Sequence, residues 1–170
     1  MPPRKADFDK KNPPWHLDPE IAGGGYFFDM GCHQLDILDF LLGPIEEAIG
    51  IHTNRAKLYY IEDTLSASLK FESGVLAGCN WTYVGNENSQ IDRIEIIGTK
   101  GMVRFGISAT ESILVNIEGH EETFNFEKPK HVEQPMIEQV TKSLLGKIEL
   151  KSNMYSAART ARVMDNIMGR

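Results

Sequence analysis

The sequence predicts an α+β fold: an open, mostly antiparallel β-sheet with helices packed on one face, the other face being used for oligomerisation. Three observations predict it. Apolar residues recur at helical spacing up to Gly43-Pro44, alternate with a period of two through about residue 126, and return to helical spacing after Pro135. The links between the alternating runs are short, whereas a parallel return needs a crossover of a dozen or more residues, so strands adjacent in sequence pair antiparallel. Runs such as Val75 to Tyr83 carry apolar or small residues on both faces, in a chain of 170 residues that has room for one core and is too short for two typical domains. A sheet left open on one side tends to close against a second copy.

Residues 1 to 14, with Pro2-Pro3, interspersed charges and Pro13-Pro14, read as an extended lead-in to a domain spanning 15 to 170. Gly23-Gly24-Gly25 then opens a helix from about Tyr26 to Leu42, which Gly43 can cap and Pro44 stops. At about 100° per residue, Asp29, His33 and Asp36 form one polar stripe, with Phe27, Phe28, Leu35, Leu38 and Leu42 opposite. A carboxylate four residues before an imidazole can fix its tautomer and favour its charged form, as acid-base work requires. The same spacing also suits a buried Asp-His pair that only satisfies itself. Spacing alone leaves the two readings open.

Strands follow at Ile45 to Arg55, around Leu65 to Phe71, and at Val75 to Tyr83, Ile91 to Ile97, Met102 to Phe105, Ser112 to Ile117 and Glu122 to Phe126. A three-residue turn with Gly74 left-handed pairs Phe71 with Val75 and keeps the apolar faces together. Pro135 suits the first turn of a helix that ends near Gly146, and Ser152 or Asn153 can cap a last helix whose apolar stripe reads Ala157, Ala158, Ala161, Met164 and Ile167. No Gly-x-Gly-x-x-Gly opens a helix after a strand, so no dinucleotide site is read in this chain.

The pattern Trp15-His16-x-Asp18-Pro19, then Gly-Gly-Gly-x-x-x-Asp-x-Gly-x-His-x-x-Asp and Phe-Leu-Leu-Gly, resembles the second domain of the glucose-fructose oxidoreductase and inositol dehydrogenase (Gfo/Idh/MocA) family. The resemblance implies the C-terminal half of an NAD(P)-dependent oxidoreductase acting on a sugar, polyol or related cyclic alcohol. NAD or NADP would be bound mainly by a nucleotide-binding domain ahead of this segment, with Met1 an added start, and this chain alone would not turn over. It implies catalytic roles for Asp29 and His33, the histidine taking the hydroxyl proton as hydride passes to the nicotinamide. Trp15, His16, Tyr26 and Asp36 become candidate substrate contacts. Where family members commonly have Trp-Arg this chain has Trp15-His16, and the indole could equally plug the edge of the core. Glu127-Lys128-Pro129 copies a motif that belongs to the family's other domain, so no role passes to Lys128.

The net charge of -6, with signs interspersed, provides no basic stripe for nucleic acid and no polybasic tail for a membrane. With two cysteines, no secretory leader and no apolar run of about 20 residues, the chain reads as soluble and cytoplasmic. Cys32 reads as a small core residue, and His52, His120 and His131 as solvated. The expected partners are a small carbohydrate or polyol and a second copy, as a dimer or tetramer. Two other classes compete: a metal-dependent hydrolase with Asp29, His33 and Asp36 as ligands, and a non-catalytic dimerisation module.

Overall fold

The computed structural model describes residues 1–9, 11–108 and 111–170. Two compact parts make up the chain, Met1–Gln90 with Asn153–Arg170, and Ile91–Ser152. The α+β class holds, with open antiparallel sheets, and the strands divide into two sheets rather than forming a single one. Among the described residues no helix is long and apolar enough to cross a membrane.

In the first part the lead-in is less plain than expected. Lys5–Phe8 makes one 3-10 turn, and Asp7 within it is only 2% exposed. A second such turn, Trp15–Leu17, anchors itself through buried Leu17, and Asp18 caps the four-residue helix α1 (Pro19–Ala22) by accepting from the Glu20 backbone N–H. The glycine triplet follows, and its members serve different ends. Gly23 takes the left-handed conformation that ends α1, a side-chain carbon at Gly24 would collide with the Phe28 ring, and one at Gly25 would come within 2.6 Å of Ile61.

The expected helix is continuous in span but not α throughout. Its first turn is a π-turn, Phe27–Gly31, which runs into α2 (Cys32–Leu42). The wider turn shifts the phase of the helical wheel: Phe27, Gly31, Leu35, Leu38 and Asp39 are buried, while Phe28 and Leu42 are only half-buried. Gly43, with φ +92°, ends the helix as predicted.

The sheet of this part has the order β1 (Ile45–Thr53), β2 (Thr64–Phe71), β3 (Leu76–Thr82), all antiparallel. Phe71 donates to the Val75 carbonyl across Glu72-Ser73-Gly74, with Gly74 at φ +83°, which is the predicted three-residue turn. Its register sets Leu65 opposite Trp81, Ala67 opposite Cys79 and Leu69 opposite Ala77, so the apolar face is continuous. Ile49, Ile51 and Leu76 stand exposed on the other face.

The last helix, α4 (Met154–Met168), is capped by Asn153, whose side chain accepts from the Tyr155 and Ser156 N–H groups. It packs on β1 and α2. Its buried stripe is Thr160, Val163, Met164, Ile167 and Met168; the alanines expected to face inward, Ala157, Ala158 and Ala161, are exposed. Close approach comes instead from Gly50, where an added side-chain carbon would meet the Ile167 backbone carbonyl.

The second part is a four-stranded meander, β4 (Ile94–Gly98), β5 (Gly101–Phe105), β6 (Ser112–Ile117) and β7 (His120–Asn125), followed by α3 (Gln134–Leu144) with Pro135 in its first turn. Glu118 and Gly119, at φ +52° and +85°, turn the β6–β7 hairpin. Lys128 pairs at the surface with Glu111 at 2.9 Å.

Candidate functional site

Tyr26 sits at the foot of the long helix and is 0% exposed. Its hydroxyl donates to Asp7 Oδ1 at 2.7 Å and lies 3.0 Å from His16 Nε2. The other Asp7 oxygen, Oδ2, accepts from the Arg4 backbone N–H at 2.8 Å. Burial, then the bond to Asp7, pushes the Tyr26 phenol well above its ordinary range, so it stays protonated. Tyr26, a candidate substrate contact in the sequence, has its ring sealed and its hydroxyl engaged by Asp7 and His16. The imidazole is half-buried and packs at 4.8 Å on the Tyr26 ring, with the Trp15 indole edge-on at 5.4 Å. Trp15 is 62% exposed and so does not plug the core.

Behind Tyr26 lie Tyr83 and Tyr59, with ring centroids at 5.5 and 6.2 Å. Both are buried, and their hydroxyls have no hydrogen-bond partner among the described residues. Glu62, also buried, accepts from the Gly25 N–H at 3.3 Å and so holds the glycine turn from below. Neighbouring Asp63, fully buried, accepts from the N–H groups of Arg55 and Ala56 and from the Thr64 hydroxyl, which closes the β1–β2 connection.

Asp29 lies in the π-turn and is half-buried; His33, four residues on, is exposed. An exposed imidazole is not a sealed core residue. Among the described residues no hydrogen bond or ion pair joins the side chains of Asp29 and His33. Asp36, expected as a substrate contact, accepts instead from the Thr160 hydroxyl of α4 at 3.3 Å. One turn on, Asp39 takes a bidentate bond from Arg159, at 2.6 and 3.1 Å. Asp29, His33 and Asp36 therefore do not converge, and no group of three or more His, Cys, Asp or Glu side chains is placed to hold a metal ion among the described residues. Cys32 is half-buried, donates to the Asp29 carbonyl at 3.3 Å, and has its thiol pushed up by burial, which is unlike an activated nucleophile.

Hollows in the surface lie elsewhere. One of ≈ 310 Å³ is lined by Asn54, Lys57, Leu58, Tyr59 and Tyr60, and another of ≈ 560 Å³ by residues between Lys130 and Glu138. Every strand pairing among the described residues is antiparallel.

The sequence reading missed Asp7, Glu62, Tyr59 and Tyr83 as parts of this cluster. The run Tyr59-Tyr60-Ile61-Glu62-Asp63 between two strands was a readable signal, since aromatic and acidic residues are packed together there. Asp7 had none.

Comparison with known proteins gives the family and supports the fold. An oxidoreductase named P35 from Formosa agariphila is 31% identical over 156 residues, covering 91% of this chain and 47% of that protein. The chain thus spans about half the length of that relative. Among solved structures, the aldose-aldose oxidoreductase of Caulobacter crescentus, complexed with glycerol, superposes with a TM-score of 0.77 at 22% identity, over 92% of this chain and 48% of that one. A levoglucosan dehydrogenase in complex with NADH and levoglucosan gives a TM-score of 0.83 at 15% identity, over 98% of this chain and 53% of that one. At these identities the two structures speak for the fold. The model of the GFO/IDH/MocA C-terminal domain matches residues 2–104, and this chain belongs to that family.

Proposed function

We propose that this chain is the substrate-binding half of an NAD- or NADP-dependent oxidoreductase acting on a sugar, polyol or related cyclic alcohol. The observation that carries the reading is an exposed imidazole, His33, one helical turn after Asp29 on a helix that begins with a π-turn, a distortion often found at functional sites. Membership of the family supports the reaction class, and the glycerol and levoglucosan held by the superposing enzymes support the substrate class.

The nicotinamide supplies the hydride chemistry and is not cradled by these residues. This chain's share is the proton. In the oxidative direction the substrate hydroxyl donates to a ring nitrogen of His33, which takes the proton and, being exposed, releases it to water. Asp29, one turn earlier and half-buried, is assigned the role of meeting the imidazole N–H when substrate is bound, since hydrogen bonds of this kind often form or tighten only in the complex. Trp15 and His16 flank the same helix foot and provide an apolar surface beside a polar edge, which suits a sugar ring. Asp36 serves through the α2–α4 packing rather than by direct contact.

In the complete oxidoreductase, His33→Ala should lower kcat by roughly 10² to 10⁴ and leave cofactor affinity nearly unchanged. Turnover that survives the substitution would overturn the assignment. Assembly is part of the same proposal: exposed Ile49, Ile51 and Leu76 favour a dimer or tetramer through that sheet face. Light scattering should give at least twice the 19.1 kDa chain mass, and Ile51→Lys should reduce it toward the monomer. A monomer at tens of micromolar would sink this part.

A further inference from the structure

We infer that Asp7 and Tyr26 are positioning residues that fix His16 as a hydrogen-bond acceptor toward the ligand, its Nε2 protonated and its Nδ1 lone pair turned to the substrate's hydroxyl. The hydrogens along one chain of contacts decide the tautomer. The Asp7 carboxylate only accepts, and its two oxygens receive the Arg4 backbone N–H at 2.8 Å and the Tyr26 hydroxyl at 2.7 Å. A phenol has one hydrogen, and Tyr26 gives it to Asp7. What Tyr26 offers to His16, 3.0 Å away, is therefore its oxygen lone pair, so Nε2 must carry a hydrogen and donate. In the neutral ring the remaining nitrogen, Nδ1, is then a bare acceptor.

Among the described residues Nδ1 has no partner, and the imidazole is half-buried beside an indole that is 62% exposed. An acceptor beside an aromatic surface fits an uncharged hydroxyl donor whose C–H face lies on the ring. Tyr26 holds this arrangement firmly because it is sealed in the core and remains protonated, its phenol being raised by burial and by Asp7. That the ligand is a sugar or polyol rests on the function proposed above. The tautomer of His16 does not.

The substitution Asp7→Asn tests the logic with almost no change of shape. The Arg4 N–H still needs an acceptor, so the new amide turns its oxygen that way and its NH₂ toward Tyr26. That NH₂ cannot accept. The Tyr26 hydroxyl must then accept from it and swing its own hydrogen to His16 Nε2, which leaves the ring protonated at Nδ1. Nitrogen-15 chemical shifts of His16 in the labelled chain, recorded above pH 8 where an ordinary imidazole is neutral, distinguish the two tautomers. The wild-type chain should be mainly Nε2–H and Asp7→Asn mainly Nδ1–H. Tyr26→Phe, which removes the relay and keeps the ring, should give a mixture, and it reads the same point should Asp7→Asn fail to fold. A wild-type ring protonated at Nδ1, or a ring indifferent to both substitutions, overturns the inference.

In the complete oxidoreductase, losing one hydrogen bond made alike in ground and transition states should raise KM roughly three- to tenfold with kcat within about twofold. A tautomer that switches while KM stays fixed overturns the ligand-facing role of Nδ1. Loss of dependence on His33 would instead overturn the proposed function and leave the tautomer result standing.

Discussion

The helix that carries His33 also supplies the sharpest test of what that residue is for, because Leu35, two positions on, faces the other way. Leu35 is 0% exposed. Truncating it to alanine removes three buried carbons, at about 0.8 kcal/mol each, or about 2.5 kcal/mol of transfer free energy. The space left beneath α2 adds a cavity contribution, which brings the expected loss to about 3 to 5 kcal/mol. His33 is exposed and its imidazole has no hydrogen-bond partner among the described residues, so His33→Ala should change stability by no more than about 0.5 kcal/mol. Urea titration of the chain, followed by helical ellipticity and tryptophan fluorescence, measures both. With a slope of about 1.5 kcal/mol/M, Leu35→Ala should lower the midpoint by about 2 to 3 M and His33→Ala by a few tenths at most. Equal destabilisation by the two substitutions would mean that His33 is a packing residue, and the acid-base role would lose its physical basis. A Leu35→Ala cost under about 1 kcal/mol would mean that α2 is not seated as described.

Three further outcomes follow from particular contacts. The Asp39 side chain is 5% exposed and that of Arg159 38%, so Arg159→Ala strands a buried carboxylate and should cost about 3 kcal/mol, whereas Asp39→Ala frees an arginine that water can reach and should cost about 1 kcal/mol; urea midpoints that reverse this order would refute the asymmetry. Gly50→Ala should destabilise by about 1 to 3 kcal/mol although alanine suits a strand better, because the added carbon meets backbone atoms of Ile167 that cannot give way; a stabilised variant would show that α4 does not rest on β1 there. Burial pushes the Cys79 thiol up to about 11, while an unfolded thiol titrates near 8.5, so the folded state holds the proton longer. The stability this confers is fully present below the unfolded value and is lost as pH rises from about 8.5 to 11. Cys79→Ala should flatten that part of the stability curve, and an unchanged slope would count against the burial of the thiol.

Sequence and structure agree where the signal is local and differ where it is not. Gly43-Pro44 ends the long helix and Gly74 turns the β2–β3 hairpin because a glycine with positive φ, or a proline, acts on the backbone at its own position. The faces of the helices were read less well. A wheel at 100° per residue assumes an unbroken α-helix, and the π-turn at Phe27–Gly31 breaks it, so Phe28 moves out of the core. In α4 the expected stripe holds at Met164 and Ile167 but not at Ala157, Ala158 and Ala161, because tertiary contact with β1 and α2 turns Thr160, Val163 and Met168 inward in their place.

The candidate site shows the same division more strongly. Asp29 and His33 were visible because four residues is a helical repeat. The contacts from Tyr26 to His16 and to Asp7 span 10 and 19 residues, cross turns, and follow no period. Residue type gave a partial clue at His16 and none at Asp7, which sits among charges in a proline-rich lead-in. Yet the direction of every hydrogen in that chain is set by Asp7, the only member that cannot donate. A group that fixes the chemistry of a site can therefore lie in the segment with the weakest pattern, because what gives it that power is its place at the end of a chain of contacts. The exchange of one Asp7 oxygen for an NH₂ should reverse the whole chain, and no spacing rule applied to Trp15-His16 could have foretold which ring nitrogen meets the Tyr26 hydroxyl.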